Sequence, residues 1–343
     1  MVEARTAYRR VMARLRKVSP ATPGWTRRRA GRGFSYVDQE GTRLEADEVE
    51  RIKSLAIPPA WEDVWICPIP NGHIQAVGTD AAGRRQYLYH PDWRAKRDKQ
   101  KFDRILAAAA RLPQARRQVT RDLNASGMPL ERAAAVAVRL LDLGYFRIGS
   151  DAYADANGSF GLTTLERQHV RRAKDCLVFT FVGKSGIEHT ITIDDADVIA
   201  ALERMRARRT RSKRLLAYSE ARRWLDLDAA AVNAYLAAVL GGDLTAKDFR
   251  TWHGTVLAAA ALADSTEPGD TRASRQRAVR AAVEEVAGYL GNTPTIAKNS
   301  YVDPRVLDLY ESGTVAEVPA MTARTSPARR QRLLEEAVLD LLS

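Results

Sequence analysis

The dominant period of the apolar residues changes near residue 98 of this 343-residue chain, and that change constrains the architecture more than any other feature. Before it, short runs such as Phe34–Val37, Val64–Cys67, His73–Val77 and Gln86–Tyr89 are separated by Pro- and Gly-containing turns. That is the pattern of a small, mostly antiparallel β module. Asp47–Leu55 reads as a brief helix that stops before Pro58-Pro59. A short basic amphipathic helix is expected at the N-terminus, with Ala4, Tyr8, Val11, Met12 and Leu15 on one stripe. After the change, helical spacing predicts helices at 98–111, 114–126, 129–143, 194–209, 228–240, 246–263, 272–290, 304–312 and 327–342. The one β interruption expected is 160–193, where Leu177–Val182 and Thr190–Ile193 flank Gly183-Lys184-Ser185-Gly186 as a hairpin. The expectation is an α+β chain, with a β-rich N-terminal domain over 1–97 and a larger, mainly helical domain over 98–343 carrying a small antiparallel sheet. His90–Arg97 reads as the linker and Ser265–Ala273 as a polar flexible loop. No internal repeat is visible.

Composition narrows the partners. Lys and Arg total 54 against 42 Asp and Glu, a net charge of +12 and a pI near 9.9. Such a surface attracts polyanions, of which DNA is the commonest, although a compositional bias gives the same excess. Arg204–Arg214 and Arg222-Arg223 read as phosphate contacts, with a solvated helix face as the alternative. Cys67 and Cys176 have no ligand spacing, which excludes a disulfide scaffold or zinc ribbon and fits a reducing cytoplasm. No apolar run approaches the ~20 residues of a membrane helix, and the N-terminus lacks the apolar core of a signal peptide. The five histidines (His73, His90, His169, His189, His253) show no i, i+4 pair and read as structural or surface residues.

Four positions carry chemistry when read together. Tyr301 lies in the stretch Asn292–Pro304; Arg147 follows a predicted helix end in Gly144–Gly149; Lys184 sits on the Gly-Lys-Ser-Gly turn; and Arg250 lies in Lys247–Trp252. A tyrosine can supply a nucleophile, guanidiniums can hold phosphoryl oxygens, and a lysine can protonate a leaving sugar oxygen. Taken singly, each has a plainer reading. Arg147 could cap a helix, Arg250 could make a surface ion pair, and Asn292 could cap the helix ending at Gly291. Tyr301, followed by Val-Asp-Pro, is expected at a helix start or in a loop. A nucleotide-binding P-loop is disfavoured, because its first Gly would fall on Val178 and no helix follows Lys184-Ser185.

Eight segments in order resemble one family. They are Leu55–Trp61, Val64–Pro68, Gly72–Gln75, Gly83–Pro91, Phe146–Gly149, Asn157–Thr164, Thr245–Trp252 and Lys298–Tyr301. Over nearly its whole length the chain resembles the poxvirus-like bacterial type IB DNA topoisomerases. The resemblance implies a tyrosine-recombinase/type IB topoisomerase fold for the helical domain and transient single-strand cleavage through a 3′-phosphotyrosyl bond. Supercoils of either sign would then relax without ATP, cofactor or obligatory metal. It places the nucleophile at Tyr301, the phosphate-clamping arginines at Arg147 and Arg250, and the general acid at Lys184. The position nine residues before the nucleophile is Asn292, where viral members and recombinases carry histidine. Asparagine can donate a hydrogen bond but cannot trade protons. Gln86, Tyr87 and Tyr89 are implied DNA contacts, with strand packing the alternative for the tyrosines. Lys247 is another implied contact, standing where recombinases carry a histidine. The implied partner is double-stranded DNA, gripped by a monomeric clamp in a bacterial nucleoid. A site-specific tyrosine recombinase is the rival reading, opposed by Lys247 and the β-rich first domain.

Overall fold

The computed structural model describes residues 14–144, 146–149, 158–242, 244–265, 271–322 and 325–343. Most of the expected N-terminal helix, and residues 266–270 of the expected loop, lie outside them. The chain divides into two compact units, Met1–Lys101 and Phe102–Ser343.

Among the described residues, the first unit contains a five-stranded antiparallel sheet of order β2-β1-β3-β4-β5, one whole helix and the start of a second. Its strands are β1 (Trp25–Ala30), β2 (Gly33–Val37), β3 (Glu62–Ile66), β4 (Ile74–Thr79) and β5 (Arg85–Tyr89), and α1 is Ala46–Ser54. A small core of Ile52, Val64, Ile66 and Ala76 is covered by Trp25, Tyr36, Trp61 and Leu88. Strand β1 was not expected, because three consecutive arginines hide its alternation. Arg27 turns inward, lies 4.1 Å over the Phe34 ring and donates to the carbonyls of Pro58 at 2.7 Å and Trp61 at 2.6 Å.

Helix α2 (Pro91–Ala109) begins where a linker was expected. Proline tolerates the first helical position, where its missing N–H costs nothing. The Asp92 N–H of that first turn donates to His90 Nδ1 at 3.1 Å.

In the second unit, α3 (Leu112–Leu123), α5 (Ala196–Arg206) and α6 (Ala229–Leu240) pack around α4 (Leu130–Gly144). Ala133–Val138 of α4 are all buried, so this helix is core on every side. Next to it runs α7 (Ala246–Ala263), buried continuously from Asp248 to Val256. Helices α8 (Arg272–Leu290) and α9 (Pro294–Tyr301) pack on α7, as do α10 (Pro304–Glu311) and the last helix, α11 (Pro327–Leu342). A three-stranded antiparallel sheet of β6 (Val170–Ala173), β7 (Cys176–Val182) and β8 (Glu188–Ile193) confirms the expected hairpin, with Lys184–Gly186 as its turn.

Three expectations need correction here. A second hairpin exists, β9 (Ala217–Glu220) with β10 (Arg223–Asp226). Its turn residues Ala221 and Arg222 both take positive φ without a glycine or asparagine, so no turn signal marks it. Tyr301 is the last residue of α9, rather than at a helix start or in a loop; Thr293 caps that helix by accepting from the Ile296 N–H, and Pro294 occupies its first position. Finally, Arg208 cannot meet a phosphate in this structure. Its side chain is fully buried and donates to the carbonyls of Met205 at 2.7 Å, Leu215 at 3.0 Å and Arg214.

Candidate active site

The site forms where the second unit's sheet, α7 and the end of α8 converge. Gly144 ends α4, and a Cβ there would fall 2.3 Å from the Phe146 ring. Phe146 is therefore able to fold back and bury itself against Phe179 and Phe181, at centroid distances of 5.1 and 5.9 Å. That anchor fixes the next residue, Arg147. Its backbone carbonyl accepts from the Leu162 N–H at 2.7 Å, tying it to the 3-10 turn Leu162–Thr164 that precedes β6.

Helix α8 ends at Gly291, which takes the left-handed conformation at φ 57°. The last carbonyls of the helix are left without intrahelical partners and carry the negative end of its dipole. Both arginines go there. Arg147 Nη2 donates to Gly291 O at 2.7 Å, to Leu290 O at 3.3 Å and to Asn292 Oδ1 at 2.8 Å. Arg250, reaching across from α7, donates to the same Leu290 carbonyl. It is 5 % exposed, and burial followed by the nearby Arg147 charge pushes its pKa down to about 10. It stays cationic at neutral pH.

Tyr301 joins this group through α7. Its ring lies 5.5 Å from the Arg250 guanidinium carbon, and its side chain accepts a hydrogen bond from Arg250. Asn292 completes the set in a telling way. Arg147 fixes which end of the amide is the oxygen, so Nδ2 is the remaining donor; it is buried and has no hydrogen-bond partner among the described residues. A buried donor with no partner is costly unless something arrives to accept from it. Both guanidiniums line a cleft of about 440 Å³ together with His189, and the Asn292 amide and the Tyr301 phenol adjoin those guanidiniums. A set of these groups has the chemistry to hold a tetrahedral oxyanion beside a nucleophile.

Lys184 lies apart, exposed on its turn, where Ser185 takes φ 66°. What joins the lysine turn to the arginines is His189, half-buried on β8. Sequence reading missed it, because nothing in the order of residues shows that β8 faces the end of α8. Burial and the charges of Arg147 and Arg250 hold its pKa below the usual imidazole value.

One further cluster lies behind α7. Asp142, His253 and Glu335 bring potential metal-ligand atoms within 4.8 Å of one another. Arg116 already occupies that space, donating to Asp142 at 2.7 and 2.8 Å and to Glu335 at 2.6 and 2.9 Å. The cluster is an ion-pair network that binds α11 to α3 and α4; Trp252 Nε1 also donates to Glu335, at 3.3 Å.

A family model described as the catalytic core of eukaryotic DNA topoisomerase I matches residues 90–316, and a model of the N-terminal domain of bacterial DNA topoisomerase IB matches residues 33–80. The chain belongs to the type IB DNA topoisomerase family. It is 29% identical over 298 residues to DNA topoisomerase 1B of Acanthamoeba polyphaga mimivirus, covering 84% of this chain and 88% of that one. To DNA topoisomerase 1B of vaccinia virus (strain Copenhagen) it is 24% identical over 253 residues, covering 72% and 75%. DNA topoisomerase 1 beta of Arabidopsis thaliana is 26% identical over 251 residues, but these make up only 26% of the plant protein's length.

Of the remaining positions expected of a type IB topoisomerase, Lys247, Tyr87 and Tyr89 are exposed and Gln86 is half-buried. Lys247 is exposed, three residues before Arg250 on α7. Tyr87 and Tyr89 are 39 % and 40 % exposed on the edge strand β5, with rings stacked at 6.1 Å. Gln86 faces the other way and donates to Asp80 Oδ2 at 2.8 Å. Among the described residues, no helix is long and apolar enough to cross a membrane.

Proposed function

We propose that this chain relaxes supercoiled double-stranded DNA by cutting and resealing one strand through a 3′-phosphotyrosyl bond. The observation that carries the reading is the convergence of Arg147, Arg250 and the unpartnered Asn292 amide nitrogen near Tyr301 at the end of α8. In this reading the Tyr301 oxygen attacks the scissile phosphorus, forming the P–O bond to tyrosine as the bond to the 5′ oxygen breaks. Arg147 and Arg250 hold the non-bridging oxygens by charge-assisted hydrogen bonds, and Asn292 Nδ2 adds a neutral donor. Lys184 gives the 5′ oxygen its proton, so a free 5′-hydroxyl leaves. The phosphotyrosine keeps the bond energy, and attack by the 5′-hydroxyl reverses the step without ATP. Between the two steps the free strand rotates about its partner, which removes supercoils of either sign.

The β-rich unit serves as the DNA-gripping domain and the helical unit as the catalytic one. Tyr87 and Tyr89 offer exposed rings to the duplex, Gln86 is oriented by Asp80, and Lys247 adds a cation near Arg250. The enzyme works as a monomer on nucleoid DNA. Incubation with positively or negatively supercoiled plasmid, in EDTA and without nucleotide, is expected to relax both, and Tyr301→Phe is expected to abolish relaxation while retaining DNA binding. Strict dependence on ATP, or full activity of Tyr301→Phe, would overturn the reading.

A further inference from the structure

One imidazole touches the backbone on both sides of the reaction. His189 pairs with Phe181 across the β7–β8 hairpin and stacks on it at 5.3 Å, which fixes the plane of its ring. On one side the ring covers Gly183, the residue before Lys184: a Cβ there would lie 2.6 Å from His189 Cδ2 and 2.7 Å from Nε2. Along the neighbouring edge it covers Gly291, the residue before Asn292, where a Cβ would lie 2.7 Å from His189 Cε1 and 3.4 Å from Nε2. The Gly291 carbonyl is the one that accepts from Arg147 at 2.7 Å. Thus the flank of the lysine turn and the flank of the phosphate-binding group rest on two neighbouring edges of one ring, which meet at Nε2 and wedge between them. Lys184 itself is exposed, and its turn residue Ser185 sits in a left-handed conformation, so the position of its ammonium depends on what supports the hairpin from beneath.

We propose that His189 is a positioning residue that sets the distance between Lys184 and the phosphate held by Arg147 and Asn292, acting as a spacer of fixed thickness. The proposal rests on reading Lys184 as the acid that protonates the 5′ oxygen. A spacer needs volume and shape rather than a proton. Being neutral suits it too, since a third cation beside Arg147 and Arg250 would repel both.

The test uses the full chain and a DNA whose 5′ bridging oxygen at the cleavage site is replaced by sulfur, which departs without an acid. His189→Ala is expected to slow cleavage of ordinary DNA roughly 10- to 100-fold, a part of the ~10²–10⁴-fold a general acid contributes. On the sulfur substrate it should cleave nearly as fast as the parent, with DNA affinity unchanged on both. His189→Phe, which keeps a flat ring, should retain most activity on ordinary DNA. Gly183→Ala should slow cleavage of ordinary DNA by pushing against the ring, and combining it with His189→Ala should cost less than the product of the two single effects, because the clash is gone. Circular dichroism melts confirm that each variant is folded. If His189→Ala is equally slow on both substrates while Lys184→Ala is rescued by sulfur, His189 serves the arginines or the fold and the proposal fails alone. If His189→Phe is as damaged as His189→Ala, the nitrogens matter and the spacer role is wrong. If Lys184→Ala is not rescued, the acid assignment fails and this proposal falls with it.

Discussion

Gly254 lies directly against Tyr301: a Cβ on Gly254 would come within 2.6 Å of the Tyr301 carbonyl oxygen and 3.1 Å of its Cβ. Gly254 is one helical turn beyond Arg250 on α7, so one face of one helix both seats the tyrosine's backbone and supplies the guanidinium over its ring. Gly254→Ala should therefore displace the tyrosine. Overpacking against backbone costs about 1–3 kcal/mol, partly offset by the ~1 kcal/mol that alanine gains over glycine in a helix. The melting temperature should shift only modestly, while the rate of covalent adduct formation falls at least about tenfold. An unchanged adduct rate would show that the close approach has no part in placing the nucleophile.

The roles assigned within the site separate by substrate. Lys184→Ala should cleave ordinary DNA about 10²–10⁴-fold slowly, yet recover on a 5′-bridging sulfur substrate. Arg147→Ala and Arg250→Ala should stay impaired on both, because their task is to stabilise charge on the non-bridging oxygens. Single-turnover cleavage of the two substrates reads this directly; equal rescue of all three variants would mean that the division is wrong.

Asn292 offers a second separation. Asn292→Leu removes the open donor, with an expected loss of roughly 10- to 100-fold in cleavage rate, at or below that of losing one oxyanion-hole donor. Asn292→Asp should be worse, since it replaces a donor by a negative acceptor facing the phosphate and also forms a charged pair with Arg147. The comparison is made at one pH on the same DNA. An Asp variant faster than the Leu variant would show that the amide does not face the phosphoryl oxygens.

Salt dependence distinguishes surface cations from structural ones. Neutralising the exposed Arg209 or Arg211 should lower the slope of log affinity against log salt by about 0.9 for each phosphate that is no longer neutralised. Arg208→Ala should leave the slope unchanged and instead lower the melting temperature, because three carbonyls lose their buried donor.

Acid should weaken the fold earlier than carboxylate titration would suggest. Burial holds His253 below the usual imidazole value despite Asp142 and Glu335 nearby, and His169 and His189 are lowered as well. The unfolded chain takes up these protons near pH 6.5 and the native one does not, so stability falls as pH drops through that value. The slope is at most about 1.4 kcal/mol per pH unit for His253 and less for the other two, which solvent screens. Below about pH 4 a second loss follows: Arg116 outweighs burial and keeps the Asp142 pKa low. Denaturant midpoints between pH 5 and 8 that do not change would contradict this.

The long helices were legible because their apolar spacing is itself the cause of their burial; α7 and α8 fall on 246–263 and 272–290, as expected. Arg147, Arg250, Asn292 and Tyr301 could be named from sequence, and they meet. Less legible were features whose signal is tertiary. Strand β1 is masked by arginines that find carbonyls and an aromatic face, and the β9–β10 turn by residues that adopt positive φ only because the strands require it. Helix α9 is only eight residues long and begins with Thr-Pro, which reads equally well as a turn. His189 shows the limit most clearly: its neighbours Gly183 and Gly291 lie six positions before it and about a hundred after it.

The meeting of both guanidiniums at the end of α8 has a consequence for the timing of solvent loss. Water that would otherwise surround Arg250 has been displaced by protein, and Leu290 and Gly291 orient the two cations before any DNA is present. In the proposed reaction an arriving phosphate would need neither to strip those charges nor to gather them. The reorganisation that a phosphodiester would impose on freely hydrated cations has been completed during folding, and the stability of one helix terminus becomes a kinetic property of the enzyme.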